Sequence, residues 1–288
     1  MLTRRLGRTG HQSSLAILGG VAFSAASPED VVGTLGRALE AGVNHLDIAP
    51  SYGEAEARVG PHLRPFRDRL YISEKTMARD RDGARAELER SLELLGTDHF
   101  ELYQFHAVAA QDDVDRLLAP GGAAEALVQA RDEGLVGHIG VTGHFERAPG
   151  LFCKVLEAVD LDTVMFPVNA PLWANREYRL DAERLLSICA ERDLGVMAIK
   201  TIARGFWPTP EHNYQTWYQP LEGRDRIQRA VNFTMSLPIH GFPTVGDLRL
   251  VGAALEAAEG FRQLSHEEIE REVAESGLQA LLTAPPAG

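Results

Sequence analysis

Long hydrophobic runs are missing from this chain of 288 residues, and no stretch of about 18 apolar residues could cross a bilayer. Arg4, Arg5 and Arg8 near the start are not followed by the apolar segment that an export signal carries. Cysteine is scarce too. Cys153 and Cys189 are the only two, and neither belongs to a CxxC cluster, which excludes a disulfide-stapled fold and fits two structural thiols in a reducing compartment. The ten histidines show no HExxH or comparable ligand spacing, so no metal site is expected. Excess positive charge is also lacking. A net charge of −12 argues against nucleic acid or an anionic membrane as the main partner, since both are held by surplus Lys and Arg. These absences together predict a cytoplasmic protein that acts on something small.

What is present is a regular alternation. After a short hairpin over Leu2–Ser14, the run ending at Leu18 reads as a buried parallel strand, and Gly19-Gly20 after it suits a loop of close backbone approach. Ser27-Pro-Glu-Asp30 opens a helix with a Ser N-cap, Pro at the first helical position and an acid three residues on. Val31, Leu35 and Ala38 give that helix one buried face. Seven further strands follow: at Val43–Ile48, Leu70–Lys75, Phe100–His106, His138–Thr142, Thr163–Pro167, Gly195–Ile199 and, weakly, Gly241–Val245. Helices are expected at Arg81–Leu95, Gly122–Glu133, Pro149–Val159, Asp181–Arg192, Asp225–Ser236 and Asp247–Ala258. Eight strands alternating with helices imply a single (β/α)8 TIM barrel over residues 1–282 with an N-terminal β-hairpin, and 283–288, Thr-Ala-Pro-Pro-Ala-Gly, reads as a disordered tail. An open doubly wound sheet is the weaker alternative, because no G-x-G-x-x-G follows the first strand.

In a parallel barrel the reactive groups stand at the C-terminal ends of the strands. Asp47, Lys75 and His106 end strands two, three and four, and Tyr52 lies in the loop just past strand two. Neighbouring strand ends converge, so the four side chains should share one small volume. A phenol, a nearby ammonium that eases its loss of a proton, a carboxylate that holds the ammonium, and a histidine that donates to an oxygen together suit proton transfer to a carbonyl. None of them can donate a hydride, so a reduction needs a cofactor.

These motifs resemble the aldo-keto reductase superfamily, in particular a bacterial branch of it. Asn44-His-Leu-Asp47-Ile-Ala-Pro-Ser-Tyr52-Gly, Ile72-Ser-Glu-Lys75-Thr and Leu102-Tyr-Gln-Phe-His106 are similar to its Asp/Tyr, Lys and His motifs. The resemblance implies a barrel that reduces aldehydes or ketones with NADPH, bound without a Rossmann domain, Tyr52 giving the proton. It departs from the family pattern around the cofactor: Thr142-Gly143 stands where Ser-Asn is usual, Met165 where Gln is usual, Ile199-Lys200 where an aromatic is usual, and Gly246-Asp247 where Lys-Ser is frequent. An acid at Asp247 would accept from ribose hydroxyls, so NADH is possible. Expected cofactor contacts are Gly20, Thr142, Gly143, Asn169, Lys200, Arg204, Gly246 and Asp247. The aromatic-rich segment Gly205–Pro220 reads as a lid over the site or as packing against helices. A rival reading is a barrel that holds NADP(H) and senses redox state with little turnover, and a barrel lyase or isomerase using Lys75 is a third.

Overall fold

The computed structural model describes residues 1–276; the expected tail at 283–288, and the stretch that would carry the domain to residue 282, lie outside the described residues. Strands β1 (Thr3–Arg5) and β2 (Gln12–Ser14) pair antiparallel and form the anticipated hairpin. The barrel strands are β3 (Ala16–Gly19), β4 (His45–Asp47), β5 (Tyr71–Thr76), β6 (Phe100–Phe105), β7 (Val136–Thr142), β8 (Thr163–Pro167) and β9 (Gly195–Ile199), all parallel in sequence order. Two further strands, β10 (Ala203–Phe206) and β11 (Tyr218–Pro220), make a separate antiparallel ribbon. The eighth barrel strand, β12 (Phe242–Pro243), is only two residues long; it pairs with β3, and a bridge from Met197 to Gly241 closes the barrel against β9.

Helices fill the gaps between strands: α1 (Pro28–Glu40), α2 (Ala55–Leu63), α3 (Arg81–Leu95), α4 (Gln111–Leu118), α5 (Ala123–Asp132) and α6 (Ala148–Ala158). They continue with α7 (Ala170–Ala174), α8 (Arg176–Glu191), α9 (Arg224–Ser236), α10 (Leu248–Glu259) and α11 (His266–Ser276). The reasons are local. Ser27 accepts from the Asp30 amide at 3.1 Å and begins α1, while Gly96, with φ 61°, ends α3 in the left-handed conformation that glycine takes without a Cβ clash. Helices α2, α4, α7 and α11 and the ribbon β10–β11 have no counterpart in the sequence periodicity, since each is short or exposed on most sides. None of the helices among the described residues is long and apolar enough to cross a membrane.

The hairpin plugs the N-terminal end of the barrel. Leu6 is fully buried against Ile17, Tyr71, Leu102, Met165, Met197 and Ile199, the apolar filling of the barrel interior. Gly7 makes that seat possible, because a Cβ there would fall 2.2 Å from the Gly195 amide nitrogen. With one end stoppered by apolar packing, access to the interior is left at the other end, where the strand C-termini gather their polar residues.

Candidate active site

Each of the four anticipated polar residues reaches the same mouth. Asp47 ends β4, Lys75 is the penultimate residue of β5, and His106 follows β6, one residue beyond the strand, held by its amide on the Thr76 carbonyl at 2.8 Å. Lys75 and Gln104 stand opposite each other on β5 and β6, and Asp47, opposite Ser73, joins them in the buried interior. Tyr52 hangs over them from the loop before α2. Its ring stands edge-on to His106 at 5.6 Å between centroids, and the Lys75 ammonium lies 4.9 Å from the Tyr52 ring centroid. Tyr52, His106 and Asp47 line a cavity of about 340 Å³.

Lys75 is 0% exposed and makes two short contacts, 2.8 Å to Asp47 Oδ1 and 2.8 Å to the Ile48 carbonyl oxygen. Burial by itself would push its pKa down, but Asp47, Tyr52 and Glu74 outweigh burial and hold it above the ordinary lysine value. It is a fixed cation. Burial pushes the Tyr52 phenol up to about 12, with Lys75 pulling in the opposite direction, so Tyr52 keeps its proton at neutral pH. His106 is driven well below the usual histidine range, first by burial and then by His144 and Lys75, and is a neutral hydrogen-bonding group.

The tautomer of His106 follows from its partners. Ser51 Oγ lies 3.1 Å from Nδ1 and His144 Nε2 lies 3.0 Å from Nε2. If the Ser51 hydroxyl donates to Nδ1, the proton of His106 sits on Nε2 and is given to His144, an assignment made from the network. His144 Nδ1 is then buried without a partner. Neither Ser51 nor His144 was singled out from the sequence. A histidine two residues beyond a barrel strand, next to a glycine, was the available signal for His144.

The expected cofactor contacts are dispersed. Lys200 and Gly246 line the tetrad cavity together with Trp217 and Tyr218, while Arg204 lines a second cavity, of about 390 Å³, with Arg226 and Arg229. Thr142 Oγ1 is buried without a partner, and Thr142 does not line the cavity that Tyr52 and His106 share. Asn169 is committed, capping α7 through the Leu172 amide at 2.9 Å and donating to the Lys200 carbonyl at 3.0 Å. Asp247 is committed as well. Its carboxylate receives the Gln215 amide at 3.0 Å and Arg249 Nη2 at 2.7 Å, tying the β10–β11 connection to α10. A Cβ at Gly20 would lie 2.8 Å from Ile48 Cγ1, and one at Gly143 2.6 Å from the Val108 carbonyl oxygen, so tight packing accounts for both glycines. Tyr218, which opens β11, and Trp217 just before it bring to the mouth the aromatic faces that the end of β9 lacks.

Comparison with known proteins gives a family match and several relatives. The model of the aldo/keto reductase family matches residues 16–272. An aldo/keto reductase of Synechocystis is 36% identical over 137 residues, 40% of this chain and 42% of that protein, so the match spans less than half of that relative's length. D-threo-aldose 1-dehydrogenase of a Pseudomonas species is 28% identical over 244 residues, covering 72% of this chain and 71% of that one. Among solved structures, the holo form of the aldo-keto reductase AKR11C1 from Bacillus halodurans superposes with a TM-score of 0.74 at 19% identity, covering 97% of this chain and 98% of that one, a likeness of fold. The chain belongs to the aldo-keto reductase family.

Proposed function

We propose that the protein reduces the carbonyl group of a small aldehyde or ketone to an alcohol with a nicotinamide cofactor, Tyr52 giving the proton. The observation that carries this reading is the meeting of Tyr52, His106 and the Lys75–Asp47 pair at one cavity. A carbonyl oxygen placed between Tyr52 and His106 meets two neutral donors, the phenol and the His106 Nε2–H. To take that second bond the oxygen displaces His144, whose 3.0 Å contact is one neutral hydrogen bond. As negative charge builds on the oxygen, the phenol releases its proton to it, and the Lys75 cation stabilises the phenolate left behind. Asp47 keeps Lys75 charged and aimed. When bound, a reduced nicotinamide supplies the hydride that none of these side chains can.

The residues fit such a group. The faces of Trp217 and Tyr218 and the backbone at Gly246, all on the cavity, would hold it. Arg249 lies on Asp247 and neutralises it. That removes the repulsion a bare carboxylate would exert on a 2′-phosphate, so we favour NADPH, with NADH as the second choice. The test is to titrate the protein with each cofactor and then follow cofactor oxidation with a panel of simple aldehydes. Saturable, aldehyde-dependent oxidation of NADPH is expected. Tight binding without turnover would replace this reading with a redox-sensing barrel, and binding of neither cofactor would refute both.

A further inference from the structure

One basic group in the cavity takes no part in the proton transfer. The whole chain has only three lysines, Lys75, Lys154 and Lys200. Lys154 is exposed on α6 and Lys75 is locked to Asp47, whereas Lys200 is half-buried on the wall of the tetrad cavity. It is the residue directly after β9, and its φ of 64° is a left-handed conformation that side-chain-bearing residues seldom adopt. The backbone is pinned there, its carbonyl accepting from Asn169 Nδ2 at 3.0 Å and from the Ala203 amide at 2.9 Å. The amine lies 4.4 Å from the Trp217 ring centroid and 4.6 Å from that of Tyr218.

The ionisable groups around it are His144 beyond β7, His106 beyond β6, Tyr218 on β11, Tyr52 before α2 and the closed Asp47–Lys75 pair. Among the described residues, no carboxylate makes an ion pair with Lys200. Burial pushes its pKa down to about 7, while the two aromatic faces favour the cation. A pinned amine without a counter-charge, on the wall of a cavity of about 340 Å³, is poorly explained as a structural lysine.

We propose that Lys200 is a nucleophile that forms a reversible imine with small aldehydes entering this cavity. The nitrogen lone pair adds to the carbonyl carbon and the C=O π pair moves to oxygen, which takes a proton to give a carbinolamine. Nitrogen then loses a proton, the carbon–oxygen bond breaks, the oxygen takes a second proton and leaves as water, and C=N forms. Nothing is oxidised or reduced, and water is the only co-product. Tyr52 and His144, on the same cavity, are the proton-bearing groups at hand. This chemistry needs no nicotinamide, so it stands or falls apart from the reductase reading.

The test uses the intact protein without cofactor, glycolaldehyde as probe, and sodium cyanoborohydride at pH 7 to fix any imine as a stable secondary amine, followed by peptide mass mapping. The expected adduct, one aldehyde less one oxygen, appears on the Lys200 peptide at least about 100-fold faster than on Lys154, because an ordinary lysine is neutral at pH 7 in roughly one molecule in 2,500. The labelling rate of Lys200 should also level off above pH 7, whereas that of Lys154 keeps climbing. Lys200→Met should lose the fast label, and if that variant folds poorly the pH profile of the natural protein decides alone. Equal rates at Lys154 and Lys200, or a Lys200 rate that rises through pH 9 as Lys154 does, would overturn the proposal.

Discussion

Two lysines at one barrel mouth are held in opposite ways. Lys75, on β5, is fully enclosed with a carboxylate and a carbonyl oxygen each at 2.8 Å, and its pKa is raised. Lys200, after β9, faces two aromatic rings without a carboxylate partner and is pushed down to about 7. Depth alone therefore does not set the state of a buried amine. The supply of counter-charge does, and it divides the mouth into a fixed cationic half around Tyr52 and a half in which the amine gives up its proton near neutral pH.

The sharpest way to break that contrast is to remove the cation from the fixed half, the ordered one around Tyr52. Lys75→Met leaves Asp47 buried without its counter-charge, with the Gln104 amide at 3.5 Å still beside it, which should cost roughly 3–5 kcal/mol in stability. It should also lower turnover by about 10²–10⁴-fold, as the phenolate loses its support. Urea unfolding and single-turnover kinetics check both, and a variant within about 1 kcal/mol of the natural protein would contradict the ion-pair account.

Linkage gives a subtler discriminator. Lys75 has a folded-state pKa above its unfolded value, so its stabilising effect is complete below about 10.5 and is constant near neutrality. Lys200 has the opposite sign. Its folded-state pKa of about 7 lies below the ordinary lysine value of 10.5, so between these the unfolded chain binds more protons and stability rises with pH. Lys200→Met should therefore gain stability over the natural protein at pH 6.5 and lose most of that advantage by pH 9, as read by urea unfolding at both pH values. A constant difference between the two proteins would show that Lys200 keeps its proton throughout.

The smallest expected effect concerns the contact between the halves. His144→Phe frees His106 Nε2 from the 3.0 Å contact it makes before substrate arrives. With one neutral hydrogen bond no longer to be displaced, KM for the aldehyde should fall by about 2–10-fold with kcat little changed. A rise in KM would mean that His144 aids carbonyl binding instead of competing with it.

Much of the ordered half is legible in the sequence. Asp47, Lys75 and His106 stand at the ends of consecutive strands, and once the strands are read as a parallel barrel their convergence follows from topology. The other half is not. Trp217 and Tyr218 reach the mouth through an antiparallel ribbon folded back from a long connection, and no periodicity records where such a ribbon lands. The role of Asp247 is hidden for a similar reason, since the Gln215 amide and Arg249 that occupy it are a local hydrogen-bonding choice. Gly20 and Gly143 looked like ligand approaches, yet backbone and side chains of the barrel itself fill the space a Cβ would need.

The measurement that bears most directly on the proposed chemistry is Tyr52→Phe, compared with the natural protein in NADPH binding and in single-turnover aldehyde reduction. The variant removes one hydroxyl and leaves the ring that lies 4.9 Å from the Lys75 ammonium. NADPH affinity unchanged with the reduction rate down by about 10²–10⁴-fold is the outcome expected of a proton donor. Reduction at a near-normal rate would contradict it and move the proton to another group at the mouth.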